Sequence, residues 1–335
     1  MSSTTASSGT GESTTTSSGT SASAVASAVA STAGTVLRRA LPDPAGPGTV
    51  LTLMGRVEQA RQLDGLAGAL RRVIRALPLG RSRDILHGRW LGHPVHPLMV
   101  QLPIGAWTSS AVLDWTPGGR RPATFLLAVG LAGAGPAVLA GLVDWAELEK
   151  EQARVGLVHA ALNSAGVACY SASLYARLTG HRMRGRSLAL AGMCAVGAAG
   201  AVGGHLAYRQ AAGANHAEAV PHLVPPGWQP IGRVEEFTEG AVDRRRVGDV
   251  AVAVVRGTDG TFQVLADRCS HEGGPLSQGR VEDGCLVCPW HGSAFRLDTG
   301  WNRTGPATAP QPVFDTRVDD GRLHVRLRMP PPAPH

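Results

Sequence analysis

Four apolar stretches, at residues 94–115, 123–143, 155–175 and 187–208, limit what this chain can become more than any other feature. Each is near 20 residues long, and at 1.5 Å per residue such a helix crosses a hydrocarbon layer of roughly 30 Å. Charged side chains fall almost wholly between the stretches, and Trp90, Trp115 and Trp145 stand at or near their ends, where indole rings favour a membrane interface. Gly200 and Gly204 form a G-x-x-x-G pair, and Gly130, Gly133, Gly135 and Gly141 stud the second stretch, so that helices can approach closely. The pattern predicts an all-α, four-helix transmembrane bundle over residues 90–210, multi-pass in a cell membrane. The competing reading is a Gly/Ala-rich soluble bundle, because alanine dominates over leucine here and the mean hydropathy of the chain is near zero.

Orientation is not settled by the basic residues. Arg81, Arg83, Arg89, Lys150, Arg154 and Arg209 on one side face Arg120, Arg121, Arg177, Arg182, Arg184 and Arg186 on the other. An even number of spans puts both ends of the bundle on the same side. No cleaved export signal is legible, since Arg38-Arg39 leads into Ala-Leu-Pro-Asp-Pro and not an apolar core, so the cytoplasmic side is expected for both termini.

The flanks differ in texture. Residues 1–49 are mostly Ser, Thr, Gly and Ala and are expected to form a disordered tail. Over 50–89 Leu66, Leu70, Val73, Ile74 and Leu77 recur at helical spacing with Arg61, Arg71, Arg72 and Arg75 between them, a basic amphipathic helix that either lies on the membrane face or packs on a soluble neighbour. The net charge of +7 is no sign of nucleic acid: all but one of the 32 basic residues are arginine, they are scattered in short groups, and aromatic residues make up only 4 %. Cys169 and Cys194 sit in apolar segments while Cys269, Cys285 and Cys288 cluster late, which suggests no disulfide framework.

After a polar connector at 211–225 the chain turns to short alternating runs at 250–255, 262–266, 280–287 and 322–328, which read as strands. Thr258-Asp259-Gly260 supplies turn residues for a hairpin between the first two. An all-β domain of antiparallel sheets is expected over 226–329, with 330–335 as a tail. Within it, Cys269-Ser-His271 and Cys288-Pro-Trp-His291 each offer one thiolate and one imidazole. Those residue types suit a tetrahedral Cys₂His₂ zinc site. They also suit a two-iron cluster with two cysteines on one iron and two histidines on the other, in which each loop must bridge both irons. Zinc fingers seldom alternate Cys and His within each loop, which favours the cluster. Cys285 reads as a buried strand residue and not a fifth ligand.

The run Cys-Ser-His-Glu-Gly-Gly-Pro-Leu-Ser, then Val-Cys-Pro-Trp-His-Gly-Ser-Ala-Phe with Asp298-Thr-Gly300, closely resembles the Rieske ferredoxin family over about 100 residues. The resemblance implies a [2Fe–2S] cluster ligated by Cys269, His271, Cys288 and His291. Family members that oxidise quinols carry an extra cysteine in each loop, joined as a disulfide; the matching positions here are Gly274 and Trp290. Those members also use a serine and a tyrosine hydroxyl to raise the potential, and this chain keeps Ser293 but has Phe295 at the tyrosine position. A potential in the lower or middle part of a span of about −150 to +300 mV is therefore expected. In related centres the imidazoles face solvent, so electron transfer can couple to their protonation.

The membrane segments carry His93, His96, His159 and His205, which need a reason at such depth. The sequence Leu-His-Gly-Arg-Trp-Leu-Gly-His-Pro-Val-His-Pro-Leu-Met-Val-Gln-Leu-Pro-Ile-Gly, with a later Gly-Gly-His-Leu-Ala-Tyr-Arg, resembles an uncharacterised bacterial four-helix membrane family sometimes fused to Rieske domains. Two readings stand open: a haem b held by His159 and His205, or histidines that hydrogen-bond between helices. The expected function is a membrane-anchored electron carrier working with a redox partner protein or quinone. Its rivals are a ferredoxin component of an oxygenase or reductase acting in trans, and a membrane redox sensor. A stand-alone oxygenase needs a 2-His-1-carboxylate iron on a large further domain, which does not follow the loops; His216 and His222 lack the spacing. Oligomeric state is not legible.

Overall fold

The computed structural model describes residues 48–328. The expected tails lie outside that range except at their inner edge, and α1 (Thr49–Glu58) belongs to a separate unit that ends at Gln59. The expected amphipathic helix is therefore not continuous. A 3₁₀ turn at Arg61–Leu63 precedes α2 (Asp64–Arg75), and α3 (Ser82–His87) follows. The orientation of α2 also runs against the simple expectation for a soluble helix. Ala67 and Ile74 are buried, but Leu66, Leu70, Val73 and Leu77 face outward, while Arg71 donates to the Leu148 carbonyl and Arg75 pairs with Glu147 at 2.8 Å.

The helical part continues as α4 (His96–Met99), α5 (Gln101–Leu113), α6 (Arg120–Trp145), α7 (Lys150–Leu178) and α8 (Arg182–Gly204), the last running into a π turn at His205–Arg209. The four apolar stretches thus do become a helical bundle, with a correction. Among the described residues two helices, Arg120–Trp145 and Arg182–Arg209, are long and apolar enough to cross a membrane. The first stretch breaks at Val100, and the 13 residues of α5 span only about 20 Å. Close approach comes from glycine at Gly130, where a Cβ would sit 2.3 Å from the Trp107 indole, and not from Gly200, which has open space beside it. Trp107 stacks on Tyr170 with centroids 4.1 Å apart.

At the end of the bundle formed by the α5–α6 and α7–α8 turns, Asp114 and Arg177 form a buried bidentate ion pair, each side chain 4 % exposed. Arg186 lies 3.8 Å from the same carboxylate, beyond hydrogen-bonding reach. Arg177→Met strands the carboxylate and is expected to cost about 3–5 kcal/mol. Thermal unfolding in detergent reads this; an unchanged midpoint would show that the pair carries no stability.

A short helix α9 (Val220–Leu223) leads into two antiparallel sheets. The larger has the order β1-β10-β9-β4-β3-β2, from Gln229–Arg233, Arg322–Leu327, Val313–Asp319, Phe262–Ala266, Val250–Arg256 and Val242–Val247. The smaller has the order β5-β6-β7-β8, from Arg280–Glu282, Cys285–Val287, Ala294–Arg296 and Asn302–Thr304. Alternation along β3 and β4 serves two cores: Val252, Val254 and Val264 pack with Phe314, Leu323 and Val325, while Ala253, Val255 and Leu265 pack with Leu276, Leu286 and Phe295. The expected β3–β4 turn is present, with Gly260 at φ +79° and the Asp259 carboxylate accepting from the Thr261 amide at 3.0 Å. The run 280–287 is not one strand. Asp283 (φ +48°) and Gly284 (φ +71°) fold it into the β5–β6 hairpin, which matches a type I′ turn.

Candidate metal centre

The two loops that hold the four predicted side chains join β4 to β5 and β6 to β7. Their backbones are twins. The Cys269 carbonyl accepts from the Gly273 amide and the Cys269 amide donates to the Gly274 carbonyl, both at 2.9 Å. The Cys288 carbonyl accepts from the Gly292 amide at 3.1 Å, and the Cys288 amide donates to the Ser293 carbonyl at 2.9 Å. Each turn needs a left-handed residue at the same place, supplied by Gly273 (φ +74°) and Gly292 (φ +72°). In both loops the amides two and three residues after the cysteine donate to its sulfur: those of His271 and Glu272 to Cys269, and those of Trp290 and His291 to Cys288.

Facing each other, the loops pair like with like. A hydrogen bond joins the Cys269 and Cys288 thiols, and His271 Nδ1 lies 3.2 Å from His291 Nδ1 with the rings edge to face. Bonds of about 2.1 Å at a tetrahedral metal hold two ligand atoms about 3.4 Å apart, so the nitrogen pair suits a single ion. Sulfur on one ion and nitrogen on another is the division a two-iron cluster of this ligand set needs. Among the described residues no three His, Cys, Asp or Glu side chains converge on one ion, as zinc would require. Burial, with His291 beside it, pushes His271 down to about 3, and burial lowers His291 as well, so both imidazoles are neutral and offer lone pairs. The shared hydrogen bond lowers the Cys288 thiol to about 7 and raises that of Cys269. Between the loops, a Cβ on Gly274 would lie 2.9 Å from the Trp290 ring and 3.1 Å from Cys288 Sγ. The two positions matched to the family's disulfide therefore do meet, as an indole laid on a glycine.

Ser293 is fully buried, and its Oγ accepts from the Ala307 amide at 3.1 Å, which leaves its own proton to donate. Phe295 is buried with Cys269, Leu276, Leu286 and Cys288. Cys285 is buried in β6 outside both loops. Sequence reasoning missed the residue that shapes the first loop most. Buried Gln311 donates from Nε2 to the Ala266 and Arg268 carbonyls at 2.8 and 2.6 Å and accepts from the Ser270 amide at 3.1 Å. Nothing in the sequence around it marks it out.

His159 Nδ1 bonds the Ala199 carbonyl at 2.8 Å and the Asn163 amide bonds its Nε2 at 3.0 Å, so in this structure it hydrogen-bonds between helices. The His96 ring is set edge-on to that of His159, centroids 6.2 Å apart. His96 in turn bonds the Ala137 carbonyl at 2.8 Å.

An antiparallel β domain with two twin Cys/His loops defines an iron–sulfur protein. The chain belongs to the Rieske [2Fe-2S] domain family, whose model matches residues 227–315, and its cofactor is a [2Fe–2S] cluster. Residues 92–216 match a second family described as "Predicted membrane protein (DUF2231)". The anthranilate 1,2-dioxygenase ferredoxin subunit of Burkholderia cepacia is 39 % identical over 100 residues, 30 % of this chain and 92 % of that protein. Ferredoxin CarAc of Metapseudomonas resinovorans is 33 % identical over 99 residues, 29 % of this chain and 92 % of that protein. The 3-phenylpropionate/cinnamic acid dioxygenase ferredoxin subunit of Escherichia coli K12 is 33 % identical over 95 residues, 28 % of this chain and 88 % of that protein. Each of these likenesses spans less than a third of this chain.

Proposed function

We propose that this protein is a membrane-tethered one-electron carrier whose cluster is held by Cys269 and Cys288 on one iron and by His271 and His291 on the other. The observation that carries this reading is the convergence of the two Nδ1 atoms opposite the paired thiols. The cluster supplies reversible one-electron transfer when bound. The chain's part is to hold it in twin amide-lined loops, and to offer Ser293 as a hydroxyl donor where Phe295 offers none. Its partner is a redox protein, as the ferredoxin relatives suggest. EPR of the full-length protein in detergent before and after dithionite tests the reading. A Rieske signal on reduction is expected, and its absence from iron-loaded protein would refute the proposal.

A hydrogen bond to the cluster is worth about 1 kcal/mol, which for one electron is roughly 40 mV. Ser293→Ala is therefore expected to lower the midpoint potential by tens of mV, from a starting value in the lower or middle part of the Rieske span. A redox titration with an unmoved midpoint would remove Ser293 from the tuning groups.

For the membrane, the support lies in what the bundle leaves exposed: Leu102, Ile104, Val112, Phe125 and Leu190 on the helices, and Trp90 and Trp115 at their ends. Residues 90–210 form the membrane domain, joined through 211–225 to the cluster domain at 226–329 on the cytoplasmic side. Over 50–89, α2 lies in the membrane surface. Its outward Leu66, Leu70 and Val73, with Leu77 just past its end, enter lipid while Arg71 and Arg75 fasten it to the bundle.

A further inference from the structure

Helical residues reach both cluster loops. Gln152, in the first turn of α7, donates from Nε2 to Glu272 Oε2 at 3.2 Å and to the Gln210 carbonyl at 3.1 Å. His216 Nε2 bonds the Ala211 carbonyl at 3.2 Å and lies 3.5 Å from the same Glu272 oxygen, and the His216 amide donates to the Ser270 carbonyl at 3.0 Å. The two residues that flank His271 in the chain are thus both held by groups outside the β domain. Glu149 Oε1 stands 4.0 Å from His291 Nε2, and the His291 side chain is only 12 % exposed. At a second point, Asp84 of α3 accepts from the Gly305 amide at 3.2 Å. Another part of the centre differs: Trp290, whose ring lies over Gly274, is half exposed.

We infer that the helical domain of this chain is itself the docking partner of the histidine edge, fastened by a clasp of Gln152 on Glu272 and of the His216 amide on Ser270, so that a soluble redox protein meets the cluster at the Trp290 edge. The inference rests on the carrier reading above. The Nδ1 atoms point inward to each other, so the opposite edges of the rings form the outer face of the centre, and Glu149 at the start of α7 stands against the His291 edge. A diffusing protein needs an open patch of several hundred Å² to dock. At the histidine edge that patch is taken, whereas a small ion needs no such area.

The clasp can be broken without harming the helix start. Gln152 Oε1 accepts from the Glu149 amide at 2.8 Å as part of the α7 capping box, and Gln152→Glu keeps that acceptor while setting a carboxylate against Glu272. The experiment follows re-oxidation of the dithionite-reduced, full-length protein in detergent by cytochrome c and by ferricyanide. For Gln152→Glu the cytochrome c rate is expected to rise about tenfold, the shift that loss of one charge-assisted hydrogen bond brings, with the ferricyanide rate unchanged. Gln152→Glu combined with Glu272→Gln reverses donor and acceptor and is expected to restore the slow rate. Equal cytochrome c rates in the wild type and Gln152→Glu, or no rescue by the exchange, would overturn the clasp. Should Gln152→Glu fail to hold its cluster, Asp84→Ala decides by the same rate ratio. A wild type without a Rieske signal refutes the carrier reading instead, so the two failures are distinguishable.

Discussion

Replacing His291 by alanine is expected to abolish the Rieske EPR signal altogether, with the loss of most bound iron. The two imidazoles approach through Nδ1 at 3.2 Å, and on the proposed ligand set taking one away would leave one iron with a single protein ligand. The loops gain nothing else in exchange: the thiols are buried at 1 % and 3 % exposure and held by loop amides, so they remain poised for metal that the histidine side no longer retains. Metal binding and folding are coupled in such a site, and a fall in thermal stability of the β domain should accompany the loss. Cys285→Ser is the control. Cys285 is buried in β6 with Val287 and Ala294 as neighbours, away from both loops, and its replacement should leave the signal intact. A His291→Ala protein that keeps the Rieske line shape would refute the ligand set, and a Cys285→Ser protein that loses it would point to the wrong cysteine.

What was legible in the sequence follows physical lines. The loops stood out because a cluster demands rare residue types at fixed spacing. Strands β3 and β4 were legible because both faces of each are buried and nearly every residue is apolar. The β5–β6 hairpin was not, since each arm has three residues and the Asp283-Gly284 turn is enclosed in a run that reads as one strand. Strand β2, Val-Asp-Arg-Arg-Arg-Val, escaped because its outer face is charged and no alternation shows. In α2 the helical period was right, but the sequence could not say which face turned inward; Arg71 and Arg75 face the bundle because backbone carbonyls and Glu147 at its corner accept from them. Polar contacts between distant segments leave no period at all, which is why Gln152 and Glu272, 120 residues apart, gave no warning of their meeting.

Gln311→Leu is expected to be the most damaging substitution outside the ligands, for the same reason that Gln311 could not be foreseen. The side chain lies 2 % exposed between β8 and β9 and closes three backbone groups of the first loop at once: the Ala266 and Arg268 carbonyls and the Ser270 amide. Leucine fills much of the same volume but offers neither donor nor acceptor. Each buried backbone group left without its partner costs about 1–3 kcal/mol, so the three together should cost at least about 3 kcal/mol. That sum is a large part of a typical domain's stability. The damage is also local to function, because Ser270 lies between Cys269 and His271 and its amide fixes the path of the loop there. Gln311→Leu should therefore lower both the unfolding midpoint and the iron content, while Thr316→Val, which removes one hydroxyl bond to the Phe262 carbonyl, should lower the midpoint slightly and leave the iron in place. Full iron content in Gln311→Leu would show that the loop holds its shape through the cluster alone and that the glutamine only fills space.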